Sequence, residues 1–275
     1  MNMDIPAENE ISMRGQHWFK ALTTDFNQIG EYTESVWVAD GQISHQSVRI
    51  IAVVPHPHNL YPRAQNGEVG LLEGWALAKA VDDVIQADQD SDQKRAILCI
   101  VDVPSQAYGR REELFGIHQA LAGAVDSYAR ARLAGHPIIS LLVGKSMSGA
   151  FLAHGYQANR IYALNDNGVM VHAMGKESAA RVTLRTVDEL EKLAASIPPM
   201  AYDIESYATL GLLSGILDVS NPEQPTAEDI TVIQDVFLNA VKDIQTLGST
   251  GLKHRLNGEN RKASKQVREL LREQW

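Results

Sequence analysis

Three apolar runs constrain this chain more than any other feature: VRIIAVVP (48–55), RAILCIVDVP (95–104) and HPIISLLVG (136–144). Each is rich in Val, Ile and Leu and ends at a proline or glycine. Runs of this length bounded by turn residues are strands buried on both faces. Strands buried on both faces belong to parallel sheets, whose neighbours must be joined by crossovers that cover the sheet. The stretches between the runs supply such crossovers. Residues 69–88 have helical spacing, with Leu72, Trp75, Ala76, Lys79 and Ala80 along one side. Residues 105–113 are a loop that enters a helix reaching about residue 134.

The rest of the chain extends this pattern. Trp18, Leu22 and Phe26 predict a helix over 14–30, and VWVADGQI (36–43) reads as two short strands around an Asp40-Gly41 turn. A helix starts near Gly149, and residues 159–175 hold two short strands around Asp166-Asn167-Gly168. Residues 176–185, 186–196 and about 200–215 are predicted helical. A long helix over 228–248 is closed by Gly248, and a last one ends the chain. The fold class is therefore α/β, layered around one sheet. We divide the chain into a flexible lead (1–13) and a single domain (14–275) that ends in a helical extension from about 226.

Composition excludes several function classes. Acidic residues outnumber basic ones 34 to 25, for a net charge of −9, so no basic footprint for nucleic acid exists overall. No apolar run approaches the roughly 20 residues that span a bilayer, and the polar N-terminus lacks the core of a signal peptide. The single Cys99 sits inside an apolar run and reads as a buried, reduced thiol. These features imply a cytoplasmic protein.

The richest chemistry lies in VGKSMSGAFLAHG (143–155). It approaches a serine nucleophile elbow, but neither Ser146 nor Ser148 has glycine two residues away on both sides. A strand that turns through small residues into a helix instead leaves first-turn N–H groups pointing outward. Gly149 and Ala150 either offer those N–H groups to an oxyanion or pack closely against a neighbouring strand, and both readings stay open. The loop VPSQAYGRREE leaves the preceding run in the same way, so two turns converge at one sheet end, where α/β folds bind ligands. His56 and His58 face one way on an extended chain, but no third ligand is evident, so no metal is expected. On the tail, Arg261, Lys265, Arg268 and Arg272 share one helix face, and Val267, Leu270 and Leu271 share another.

These segments resemble a known family. RGQHWF, NGEVGLLEGWALAKAV, VDVPSQAYGRREE, VGKSMSGAFLAHG, YALNDNGVMVHAMGKESAARV and SIPPMAYDIE, in that order over residues 14–205, are similar to the C-terminal-type half of acyl-CoA carboxyltransferases. Within that group they resemble the gamma subunits of biotin-independent malonate decarboxylases. The resemblance implies a crotonase-like ββα spiral. It implies a beta subunit as partner, with a shared cleft that decarboxylates malonyl held on an acyl carrier protein. The carrier would hold it on a dephospho-CoA-type prosthetic group, and an alpha subunit would reload it. No cofactor would be bound by this chain. Gly149 and Ala150 would be the oxyanion N–H donors, and Pro104, Ser105, Gln106 and Gly109 would line the substrate cleft. Tyr108, Ser146, Ser148 and His154 are the candidate proton relay. Ser105-Gln106 replaces a Gly-Phe of the carboxyltransferase pattern and Ser148 replaces a glycine, departures that point away from biotin. The alternatives are a biotin-dependent subunit and a purely structural one.

Overall fold

The three apolar runs lie side by side at the centre of one sheet. The computed structural model describes residues 11–248 and 250–275. The elements, in chain order, are α1 (Arg14–Leu22), β1 (Asn27–Ile29), β2 (Val36–Ile43), β3 (Gln46–Val53), α2 (Leu71–Ala87), β4 (Ala96–Val103), α3 (Arg110–Leu114) and α4 (Ile117–Leu133). There follow β5 (Ile138–Met147), α5 (Ser148–Ala153), β6 (Arg160–Leu164), β7 (Met170–His172), α6 (Lys176–Val182), α7 (Val187–Ala194), α8 (Ile204–Ala208), β8 (Gly215–Leu217), α9 (Ala227–Leu247) and α10 (Lys262–Gln274).

The sheet runs β1-β2-β3-β4-β5-β6-β8, with β7 pairing the far end of β5. The β1-β2-β3 pairs are antiparallel and all later pairs are parallel. Every residue of β4 is buried, as a strand covered on both faces requires. Helices α2 and α4 pack on one another, while α1 and α9 lie against the central strands. Phe237, Val241 and Ile244 of α9 join the main core, so α9 belongs to the body of the domain. Helix α10 buries no residue.

Four expectations change. Residues 36–43 form one strand, and the turn follows at Ser44, whose φ is 55°. Gly41 marks a close approach: a Cβ there would meet the Phe26 ring at 2.5 Å. Phe26 is correspondingly not helical, because α1 ends at Leu22 and β1 begins at Asn27. Helix α2 faces the core with Leu77, Val81 and Val84, whereas Leu72 and Trp75 are exposed. Residues 200–215 hold only the short α8 before β8 pairs beside β6. Residues 1–10 of the expected lead lie outside the described residues, and Ser12 is anchored on Asp102 at 2.6 Å.

Candidate active site

The site begins with an irregularity between β4 and β5. Val101 pairs with Leu142 and Val103 with Ser146, so β5 carries extra residues opposite Asp102. Such a bulge leaves ladder groups unpaired, and two side chains take them up. The buried Asp102 carboxylate accepts the Lys145 N–H at 3.2 Å, the Gly15 N–H at 3.1 Å and the Ser12 hydroxyl. Arg14 donates to the Val143 carbonyl at 3.3 Å and to Asp166 at 2.5 Å, and it also pairs with Glu223. Gly144 is required here, because a Cβ would lie 2.1 Å from Asp102 Oδ1. The bulge carries β5 onward to pair with β7 through Lys145, Ser146 and Met147.

Beyond Met147 the chain turns sharply at Ser148, whose φ is 57°. A residue with a Cβ rarely adopts this conformation, at a cost of about 1 kcal/mol or more. The turn delivers Gly149 to the side chain of Gln106. The Gly149 N–H donates to Gln106 Oε1 at 2.7 Å. Gln106 is held by the Val69 bridge, in which the Val69 N–H donates to Ser105 O at 3.1 Å and the Ala107 N–H to Val69 O at 2.8 Å. Two cavities meet at Ser148. One, of about 1020 Å³, is polar and is lined by Pro104, Ser105, Tyr108, Lys145 and Glu68. The other, of about 400 Å³, is lined mostly by apolar groups such as Phe151, Leu152 and Leu212, together with His172.

The structure sorts the residues expected to act here. Pro104, Ser105, Tyr108 and Ser148 line the larger cavity, and Gly149 lines the smaller. Tyr108 is 45% exposed and its ring lies under Arg63 at 4.3 Å. Gly109 is the residue before α3, packed closely on the Glu112 carboxylate. Ala150 is fully buried behind Gly149 in the first turn of α5. Ser146 is fully buried, its hydroxyl finds no hydrogen-bond partner among the described residues, and it lines neither cavity. His154 is placed away from the cleft. It is fully buried, with Nδ1 3.0 Å from the Tyr128 hydroxyl and Nε2 3.0 Å from Ile100 O. Burial lowers its pKa to about 4. A neutral imidazole with both nitrogens engaged in the core is a structural strut, which removes it from the proton relay. Cys99 is also fully buried, and burial pushes its thiol up to about 12.

Three groups at the site went unassigned in the sequence reading. Asp102 and Lys145 flank the bulge. Glu68 lines the larger cavity, bound by Arg63 at 2.5 and 2.7 Å. Burial raises the Glu68 carboxyl above its usual range against the pull of Arg63, and the charge of Glu112 adds to the rise. A charged residue within the apolar stretch 138–147 is the one signal that marks Lys145 in the sequence. No group of three or more His, Cys, Asp or Glu that could hold a metal is found among the described residues, and His56 instead faces Glu34 at 2.9 Å. No helix among the described residues is long and apolar enough to cross a membrane.

Comparison with known proteins identifies the family. The family described as malonate decarboxylase gamma subunit, MdcE, matches residues 64–275. The malonyl-S-ACP:biotin-protein carboxyltransferase MADD of Malonomonas rubra is 32% identical over 223 residues, covering 80% of this chain and 73% of that protein. The structure of a Pseudomonas malonate decarboxylase hetero-tetramer in complex with coenzyme A contains a chain 61% identical to this one. It superposes with a TM-score of 0.92 over 95% of this chain and 99% of that one. A Pseudomonas MdcD-MdcE hetero-dimer contains a chain 58% identical, with a TM-score of 0.88 over the same shares. Transcarboxylase 12S shares the fold alone, at 18% identity and a TM-score of 0.63 over 86% of this chain and 42% of that one. With its crotonase-like fold and a family match over residues 64–275, this chain belongs to the malonate decarboxylase gamma subunit family.

Proposed function

We propose that this chain, paired with a beta-type subunit, decarboxylates malonyl held as a thioester on an acyl carrier protein and leaves the acetyl thioester. In this reaction the bond between the carboxylate and the methylene carbon breaks. Its electron pair moves onto the thioester carbonyl, CO₂ leaves, and the enolate carbon then takes up a proton. The difficult species is the enolate, so the barrier falls if N–H donors already stand where its oxygen will be. The observation that carries this reading is the Gly149 N–H, which meets a carbonyl-type oxygen, Gln106 Oε1, at 2.7 Å beside the cavities. An amide oxygen is the same kind of acceptor as a thioester carbonyl oxygen, so the N–H that takes it suits a substrate oxygen. Ala150 stands next in the same turn as the second donor. Tyr108 and Ser148, which line the larger cavity, are the proton-relay candidates that remain.

The carrier's dephospho-CoA-type group delivers the substrate, and an alpha subunit reloads the carrier. This chain then needs no cofactor of its own. The same reading carries a cytoplasmic location. The relatives that support it are a malonate decarboxylase in complex with coenzyme A and an MdcD-MdcE hetero-dimer.

Similarity to MADD favours a second reading, carboxyl transfer to biotin. Against it stand Ser105-Gln106 and Ser148, which replace the Gly-Phe pair and the glycine of the carboxyltransferase pattern. One assay separates the readings: CO₂ release from malonyl-carrier by this chain, by a beta-type partner and by the pair, with and without biotin. Release by the pair alone, independent of biotin, is the expected result. Equal activity of the isolated partner reduces this chain to a brace, and biotin dependence selects the second reading. In the folded pair, Gly149→Pro removes one N–H donor and lowers kcat by about 10²- to 10³-fold if that donor holds the oxyanion.

A further inference from the structure

We propose that the Lys145 ammonium recognises the free carboxylate of the malonyl group and so separates substrate from product. The inference rests on the functional reading above and names the residue that sets its specificity.

Strand β5 has ten residues, and Lys145 is the one that is not fully buried. Its exposure follows from the bulge. Asp102 takes the Lys145 N–H that would otherwise bond in the ladder, and the residue faces the larger cavity beside Ser148 and Pro104.

The charges around the cavity show what this lysine lacks. Arg63 is held by both oxygens of Glu68. Asp102 is satisfied by Ser12, Gly15 and the Lys145 backbone. Glu177 lines the cavity from α6 and has no ion pair among the described residues. Among the described residues, Lys145 is the lining cation without a carboxylate in ion-pair range. An ammonium left free at the mouth of a turn that offers N–H donors suits an anionic ligand. Malonyl and acetyl thioesters differ by one carboxylate, so a cation at this position binds the first in preference to the second and lets product leave.

The direction of the kinetic effect follows from the charge movement. As CO₂ departs, negative charge leaves the carboxylate and gathers on the enolate. A cation at the carboxylate therefore holds the ground state at least as tightly as the transition state. Lys145 then governs KM and leaves kcat unchanged or slightly restrained, which sets it apart from an oxyanion donor.

The test uses the intact pair with its beta-type partner and measures CO₂ release from malonyl-carrier, with acetyl-carrier as product inhibitor. Lys145→Met should raise the malonyl-carrier KM by about 10- to 100-fold, the worth of one charge-assisted contact. The same change should leave kcat equal or higher and shift the acetyl-carrier inhibition constant less than about 3-fold. Lys145→Arg should restore KM to near the wild-type value, and Lys145→Gln, which keeps the length of the side chain, serves if the methionine variant misfolds. Equal weakening of malonyl and acetyl carriers overturns the proposal, because Lys145 would then be reading the carrier itself. A fall in kcat at constant KM also overturns it. A wild-type pair that releases no CO₂ from malonyl-carrier overturns the functional reading and this inference with it.

Discussion

Which acceptor holds the Gly149 N–H decides whether the turn can receive a substrate oxygen. In this conformation Gln106 Oε1 holds it, and the substrate must take its place. A neutral hydrogen bond contributes about 1 kcal/mol net, so removing the competitor is worth up to about one order of magnitude in affinity. Gln106→Ala is accordingly expected to lower the malonyl-carrier KM by about 3- to 10-fold. Gln106→Glu puts a charged acceptor on the same N–H and repels an anionic substrate, so it should raise KM by about 10-fold or more. Steady-state kinetics of the pair would decide. If the alanine and glutamate variants both match wild type, Gln106 is not a competitor for this donor. The conformation of Ser148 belongs to the same device: its φ of 57° turns the chain from strand to helix within one residue and brings Gly149 to the cavity wall.

Among the elements, α5 is short and depends on its surroundings. The His154 N–H closes its last turn on Ala150 O, while the imidazole joins Tyr128 of α4 to Ile100 of β4. Burial lowers the His154 pKa to about 4, whereas an unfolded histidine titrates near ~6.5. Below pH ~6.5 the unfolded chain binds a proton that the folded chain refuses, so stability is full above that value and falls as pH drops toward 4. The loss at the acid end is on the order of 3 kcal/mol. Urea unfolding of His154→Gln at pH 7 and at pH 4.5 tests this: the variant should show a smaller acid loss than wild type, and equal losses would reject the linkage. The same elements show what the sequence could reveal. The apolar runs were legible because strands buried on both faces have little freedom of composition. Gly41 misled because a glycine that admits the Phe26 ring is written like one that makes a turn. The buried face of α2 misled because Trp75 and Leu72 are its larger residues yet point outward. The Gly149-Ala150 turn was visible as a run of small residues after a strand. The roles of Asp102 and Lys145 were not, because a bulge arises from the pairing of two distant segments; the charge of Lys145 in an apolar stretch marks the residue but not the bulge that exposes it.

At the scale of the whole molecule, the carboxyl-terminal region divides into parts with different energetic roles. Helix α9 lies in the core, whereas α10 buries nothing and leaves Val267, Leu270 and Leu271 about half exposed. Between them the chain is tied down by buried arginines. Arg255 donates to Tyr156 O at 2.8 Å and to Ala158 O, and Arg132 donates to Gln157 O at 3.2 Å and to Thr250 O. Burial lowers the pKa of both guanidiniums, and Arg255 feels the added repulsion of Arg132 and Arg160. These contacts hold the loop after α5, so the segment supports the site from behind. Two truncations should therefore behave differently. Removing residues 262–275 takes away no buried residue and should shift the unfolding free energy by less than about 0.5 kcal/mol. Removing residues 250–275 also deletes Arg255, leaves the carbonyls of Tyr156 and Ala158 without their donor and strips Arg132 of one acceptor. That larger deletion should cost about 3 kcal/mol or more, because buried polar groups left without partners pay their full desolvation. Urea midpoints measured at constant slope separate the two outcomes. A short truncation as damaging as the long one would mean that α10 contributes to the fold after all, and a harmless long truncation would mean that the arginine contacts do not brace the loop behind α5.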